Sequence, residues 1–235
     1  LKGSLLSAAV MSSSNYKVYI DSLNTGGGNS VSSNYAQEST VGEIATGPSG
    51  STNYKVFAGY QQMNESFISI TSPSDLNLAN IDGLIGGSSV GSVAWTVLTD
   101  NAAGYTMSIK SATSPALKAP SGAYFGNYTP AGAPPDYAFT VASTDSRFGF
   151  TPEGADVAST YLDNGVNTCN TGATETANAC WDGLSTVDKV VTRRTSGNQP
   201  SGTATTIKFK AESGSSHIQD SGTYTATVIV TAVTL

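Results

Sequence analysis

The sequence predicts an all-β protein, an antiparallel β-sandwich or jelly roll preceded by an extended strand-forming arm. Three observations predict it. Short runs that alternate apolar and polar residues recur between clusters of Gly, Pro, Asn, Asp and Ser. No run of about twelve residues carries a helical period. Only 12% of the residues are charged, about half the share usual in soluble domains. Thr, Ser, Gly and Ala take their place, and threonine suits a pleated surface because its Cβ is branched. At 235 residues, 38% of them hydrophobic, the chain has room for one large β domain or for a domain with an arm.

Residues 1–63 read as the arm. Ser14-Asn15-Tyr16, Ser33-Asn34-Tyr35 and Thr52-Asn53-Tyr54 repeat one triplet with its tyrosines nineteen residues apart. Tyr16-Lys17-Val18-Tyr19-Ile20 and Tyr54-Lys55-Val56-Phe57-Ala58 alternate as strands do. Asn24-Thr25-Gly26-Gly27-Gly28-Asn29 reads as a turn or flexible link. The segment holds too few large apolar residues to bury a core of its own. It must lean on another surface, and a second copy of the chain is the expected one. The opening Leu1–Met11 resembles part of a signal peptide, but its apolar run is broken by serines and falls short of the roughly twenty residues of a membrane span. Without an initiator methionine, the chain reads as mature and processed. No later segment reads as a membrane span.

The body, residues 64–235, opens with the strand Phe67–Thr71, stopped by Ser72-Pro73-Ser74-Asp75. Ser92–Thr99 and Tyr105–Lys110 are the next strands, and the turn Asp100–Gly104 between them predicts a hairpin. Residues 111–135, rich in Pro, Ala and Gly, read as a surface excursion. Tyr137–Val141, Phe148–Phe150 and Lys189–Thr192 follow as short strands. Thr206–Ala211 alternates with Ile207, Phe209 and Ala211 inward and the lysines outward. Gly222–Leu235 ends the chain in the strongest strand pattern of the sequence. Before it, Asp220-Ser221-Gly222-Thr223-Tyr224 resembles the Asp-x-Gly-x-Tyr corner of immunoglobulin-like sandwiches, in which a tyrosine hydroxyl bonds back to the backbone.

Several function classes are disfavoured. The net charge is −6 and Arg193-Arg194 is the only basic doublet, so no stripe exists to neutralise phosphates and no nucleic-acid partner is expected. Cys169 and Cys180 flank a polar loop with no histidine nearby, a poor zinc site. A local disulfide is favoured over a pair of reduced thiols, and it implies an oxidising compartment. His217, the sole histidine, sits in a Ser-rich loop, and no Gly-x-Ser-x-Gly elbow accompanies it. Asp75–Gly83 offers oxygen ligands but lacks calcium-loop spacing, and Leu76, Leu78 and Ile81 read as packing residues. Trp95, Trp181, Tyr124, Phe125 and Tyr128 are candidates for stacking on sugars, with packing the favoured reading. No catalytic residues, metal site or cofactor are expected, and the chain is not read as an enzyme.

The runs Asn15–Gly28, Val41–Gly47 and Tyr54–Tyr60 resemble secreted bacterial surface proteins in which such stretches precede a β-rich domain. The closing Gly222–Val228 looks like the last strand of many bacterial surface sandwiches. The whole plan is similar to donor-strand filament subunits of the TasA/camelysin kind. That resemblance implies an extracellular, cell-surface structural subunit whose partners are copies of itself in a head-to-tail polymer. The donor strand is expected within residues 4–20, with Leu5, Leu6, Val10, Tyr16, Val18 and Ile20 filling pockets between subunits. The alternative is a monomeric adhesion or carbohydrate-binding module that contacts a surface or glycan.

Overall fold

The computed structural model describes residues 11–12, 17–18, 26–32, 36–41, 47–50, 55–58, 66–132 and 134–235. The chain divides into two units, residues 1–66 and 67–235.

In the first unit the described residues form three two-stranded antiparallel hairpins: β1 (Met11–Ser12) with β2 (Lys17–Val18), β3 (Gly26–Val31) with β4 (Ala36–Val41), and β5 (Gly47–Gly50) with β6 (Lys55–Ala58). Their innermost pairs are Ser12↔Lys17, Val31↔Ala36 and Gly50↔Lys55. These positions advance by nineteen residues at a time, so the sequence period is also a structural period. Each repeated triplet falls in the four residues between paired strands. The run Asn24–Asn29 is not the expected link, because Gly26–Asn29 opens β3. Its glycines cost strand entropy, but each has a ladder partner on β4, as in Gly27↔Thr40.

The second unit is an all-β sandwich. Its strands are β7 (Ile68–Ile70), β8 (Gly87–Thr99), β9 (Tyr105–Ser111), β10 (Leu117–Lys118), β11 (Tyr124–Asn127), β12 (Ser146–Glu153), β13 (Asp182–Gly183), β14 (Lys189–Arg194), β15 (Thr203–Ser213) and β16 (Val228–Thr234). One sheet has the order β10-β11-β12-β15-β8-β7, with β13 beside β12, and the other is β14-β9-β16. All pairings are antiparallel except β11 with β12. Val97, Phe148, Phe150, Ile207 and Phe209 from the first sheet meet Tyr105, Met107, Ile109 and Val191 from the second in one core. β15 follows its sequence pattern, with Ile207, Phe209 and Ala211 buried and Lys208 and Lys210 on the other face.

Two expected elements take another form. Ser92–Thr99 and Tyr105–Lys110 do not pair as a hairpin: β8 pairs with β15 and β7, and β9 pairs with β14 and β16. Both strands bury one alternating set of side chains, Val97 and Thr99 on β8 and Tyr105, Met107 and Ile109 on β9. Two strands facing the same core from opposite layers cannot lie side by side, so Asp100–Gly104 is an arch between sheets. Gly104 closes it at φ +85°, where a Cβ would strike the Arg194 backbone. Tyr137–Val141 is not a strand. Phe139 instead stacks on Tyr128 at 4.2 Å and meets Trp181 edge-on, so packing rather than a ladder fixes this segment. β8 also starts at Gly87, earlier than expected, because β15 pairs with it down to Ser213↔Gly87.

β12 is buried on both faces. Phe148 and Phe150 enter the core, while on the other face Gly149 lies under Tyr128 and Phe139 and the Thr151 hydroxyl donates to the Ala179 carbonyl. A Cβ on Gly149 would sit 2.8 Å from the Tyr128 Cβ and 2.7 Å from the Asp182 carbonyl oxygen. Gly149→Ala is therefore expected to cost about 1–3 kcal/mol by overpacking. Gly132→Ala, with no atom within 4 Å of the new methyl, is expected to stay within about 0.5 kcal/mol of the parent. Denaturant unfolding followed by tryptophan fluorescence measures both.

Candidate assembly interface

The residues of β16, Val228-Ile229-Val230-Thr231-Ala232-Val233-Thr234, are β-branched except for Ala232. Such a run favours a strand that packs one face. Val228, Val230 and Ala232 lean on the core, and the other face stays open, with Ile229 39%, Val233 52% and Leu235 42% exposed. Just beyond its ends, Thr227 accepts from the Ala112 N–H and the Leu235 N–H donates to Gly104. By antiparallel alternation the odd-numbered residues therefore bond to β9. The N–H and C=O groups of Val228, Val230, Ala232 and Thr234 point the other way. No protein group among the described residues meets them.

Two other edge strands of this unit, β14 and β10, are covered. Along β14 the Ala158 N–H donates to Val191 and the Arg193 N–H donates to Asp156, and a bulge interrupts the ladder between Val190 and Thr192. β10 is bridged by Thr225 through bonds in both directions with Lys118. Bulges and covering segments are how sheets resist edge pairing. β16 has neither device, and it carries no charge or proline. β7 lies next to it at the rim, with Phe67 and Ile70 exposed.

Of the residues expected at a subunit interface, Leu5, Leu6, Val10, Tyr16 and Ile20 lie outside the described residues. Val18 is in β2, paired with Met11 of its own chain. Sequence reasoning named an expected donor segment and no acceptor strand. The length and uniformity of the last strand pattern was the available signal for it.

The cysteines form the disulfide Cys169–Cys180, with Cα atoms 5.6 Å apart. Asp163, fully buried, organises the loop from within. It accepts from the Gly165 N–H at 2.6 Å, the Thr176 N–H at 2.9 Å and the Thr176 hydroxyl at 3.0 Å. Burial pushes the Asp163 carboxyl up, but these three donors outweigh it and hold the group below its ordinary value. Beneath the loop, Tyr161 donates to Asp182, which also takes Lys189 Nζ at 2.7 Å. Burial, then the Asp182 charge, pushes the Tyr161 phenol far above its ordinary value.

The remaining candidates are mostly packing residues. Trp181 is buried and donates its Nε1–H to Asn178, and Trp95 is half-buried against the core. Phe125 and Tyr128 are buried, while Tyr124 is 54% exposed. Tyr124 borders a shallow cleft of about 390 Å³ lined also by Asp145, Arg147, His217 and Gln219. There His217 Nδ1 lies 3.0 Å from the Thr144 carbonyl oxygen and Nε2 lies 3.2 Å from Gln219 Oε1. Arg147 pairs with Asp145. In the Asp75–Gly83 run, Asp82 Oδ1 accepts from the Leu84 and Ile85 N–H groups, and Leu76, Leu78 and Ile81 pack on the core. The Tyr224 hydroxyl donates to the Asp220 carbonyl at 2.6 Å, the bond expected of a tyrosine corner. No group of three or more His, Cys, Asp or Glu among the described residues is placed to hold a metal, and no helix among them is long and apolar enough to cross a membrane.

No protein-family model, curated protein or solved structure matches the chain.

Cys169→Ser with Cys180→Ser is expected to lower stability by roughly 3 kcal/mol, read as a lower denaturation midpoint. Asp163 adds a pH dependence. Its folded-state pKa lies below the unfolded value, so its contribution is fully present above the unfolded pKa of about 3.9 and is lost as pH falls through the folded value. Acid titration of Trp181 fluorescence should show the loop loosening below about pH 4, and Asp163→Asn should flatten that part of the curve.

Proposed function

We propose that the chain is a structural subunit of an extracellular, pilus-like bacterial filament, assembled by β-strand addition. A segment of one subunit's arm adds to the free edge of β16 in the next. The uncovered backbone of β16 carries this reading. A seven-residue edge without charge, proline or bulge is a template for another strand. The arm supplies the complement. Each of its described sheets stops at two strands, and an isolated two-stranded ribbon is marginal in water. The donor is placed within residues 4–20, with Leu5, Leu6, Val10, Tyr16, Val18 and Ile20 seated along β16 and the exposed rim at Phe67 and Ile70. One chain then carries both halves of a contact that does not close on itself, which gives a fibre. The disulfide fits an oxidising, extracellular setting.

Two variants separate donor from acceptor. Ala232→Pro removes an N–H on the free side of β16, where an edge strand tolerates proline. Deletion of residues 1–20 removes the donor. The parent should form filaments in negative stain, and each variant alone should remain monomeric. Mixed, they should form one-to-one dimers, because each supplies the half the other lacks. Filaments from the deletion variant would overturn the donor assignment, and filaments from Ala232→Pro would overturn the acceptor.

A second reading, a monomeric cell-surface module that binds glycan, is favoured only by exposed Tyr124 at the rim of its polar cleft. A discrete monomer in size-exclusion chromatography that binds glycan, and loses it on Tyr124→Ala, would support that module instead.

A further inference from the structure

Lys208, Asn178 and Glu153 converge on the outer face of the larger sheet. Lys208 lies on β15 opposite Thr151, and Glu153 ends β12 opposite Thr206. Lys208 Nζ is 2.9 Å from Asn178 Oδ1 and 2.9 Å from Glu153 Oε1. The same Glu153 oxygen accepts from the Asn178 N–H at 2.7 Å. One carboxylate oxygen thus holds both the Lys208 amine and the Asn178 backbone, and the amine reaches the Asn178 carboxamide. The backbone of Asn178 is held at other points as well. Asn178 sits at φ +60°, its backbone carbonyl accepts from Trp181 Nε1 at 2.8 Å, and the next carbonyl, Ala179, accepts from the Thr151 hydroxyl at 2.5 Å. Cys180 then ties the strap to Cys169. The side chains of Lys208 and Glu153 are only 20% and 17% exposed.

We propose that Lys208 and Asn178 join through an intramolecular amide bond, with Glu153 moving the protons. Glu153 takes a proton from the Lys208 ammonium and leaves a neutral amine. Nζ forms a bond to the Asn178 Cγ. Glu153 returns that proton to Nδ2, the Cγ–Nδ2 bond breaks, and the second Nζ proton passes through Glu153 to the departing ammonia. Lysine ammonium and carboxamide become a secondary amide and an ammonium ion, with no oxidant, reductant or further reactant. Holding the two groups in contact replaces an encounter by an intramolecular step, the condition under which poor electrophiles react. The other close pair on this face of the loop, Lys189 Nζ with Asp182 Oδ1 at 2.7 Å, offers a carboxylate instead of a carboxamide. It has no ammonia to lose, and it stays an ion pair.

Intact mass spectrometry of the full chain, with the disulfide reduced, tests the bond. The mass should fall below the sequence value by about 17 Da, the mass of one ammonia. Digestion should yield one branched peptide that joins the segments around Lys208 and Asn178. Lys208→Arg, Asn178→Ala and Glu153→Ala should each restore the mass calculated for that variant. A parent chain at its full calculated mass overturns the proposal. So does a gain of about 1 Da from hydrolysis of Asn178 to Asp, or a loss of ammonia that persists in Lys208→Arg.

Discussion

The structure depends on β12 being buried on both faces. Phe148 and Phe150 fill the space between the sheets, and no residue of that pair is more than 3% exposed. On its back, Gly149 admits Tyr128 and the Phe139 ring to close range, and Trp181 meets Phe139 edge-on. A strand with both faces covered requires a third layer, and here that layer is built from loops. Gly183, whose added Cβ would meet the Tyr128 carbonyl, brings β13 down beside β12. The disulfide loop, the Asp163 bonds and the Tyr161–Asp182–Lys189 cluster all hold this irregular layer in place. Irregular backbone needs such partners because its polar groups have no ladder.

The same economy explains the edges. With 12% of its residues charged, the chain has few lysines to spare for guarding strands, one common protection. It guards β14 and β10 with backbone instead, through the segment at 156–158 and through Thr225. That protection is selective. It leaves unguarded the longest β-branched strand, at the rim where Phe67 and Ile70 are also exposed. β16 differs from the edge strands β14 and β10 in having no covering segment among the described residues, and the proposed assembly makes use of that difference.

Legibility in the sequence followed how local the deciding force was. β15 was readable to the residue because Ile207, Phe209 and Ala211 alternate against solvent-facing lysines, and two flanking strands keep that register. The arch at Asp100–Gly104 was not readable, since a hairpin and an arch share one turn signal and differ only in which layer receives the second strand. Tyr137–Val141 looked like a strand because its apolar residues alternate, yet a ring stack claimed them. β3 was hidden by its glycines, although the nineteen-residue period aligned it with its neighbours. The Lys208–Asn178–Glu153 contact was invisible for a simpler reason: residues 25 and 30 positions apart carry no common pattern.

An arm tethered to its own body meets its own edge at an effective concentration in the millimolar range for a short flexible linker. Self-insertion therefore competes with polymerisation whenever the tether is a coil of sufficient reach. Stiffness changes that balance, because effective concentration falls towards zero when a linker cannot span its two sites. Residues 4–20, the proposed donor, are followed by the hairpins β3–β4 and β5–β6, and paired strands span less distance than a serine- and glycine-rich coil of equal length can reach. In the proposed filament these hairpins limit how far the tether can reach, and self-insertion loses ground to insertion into a neighbouring subunit.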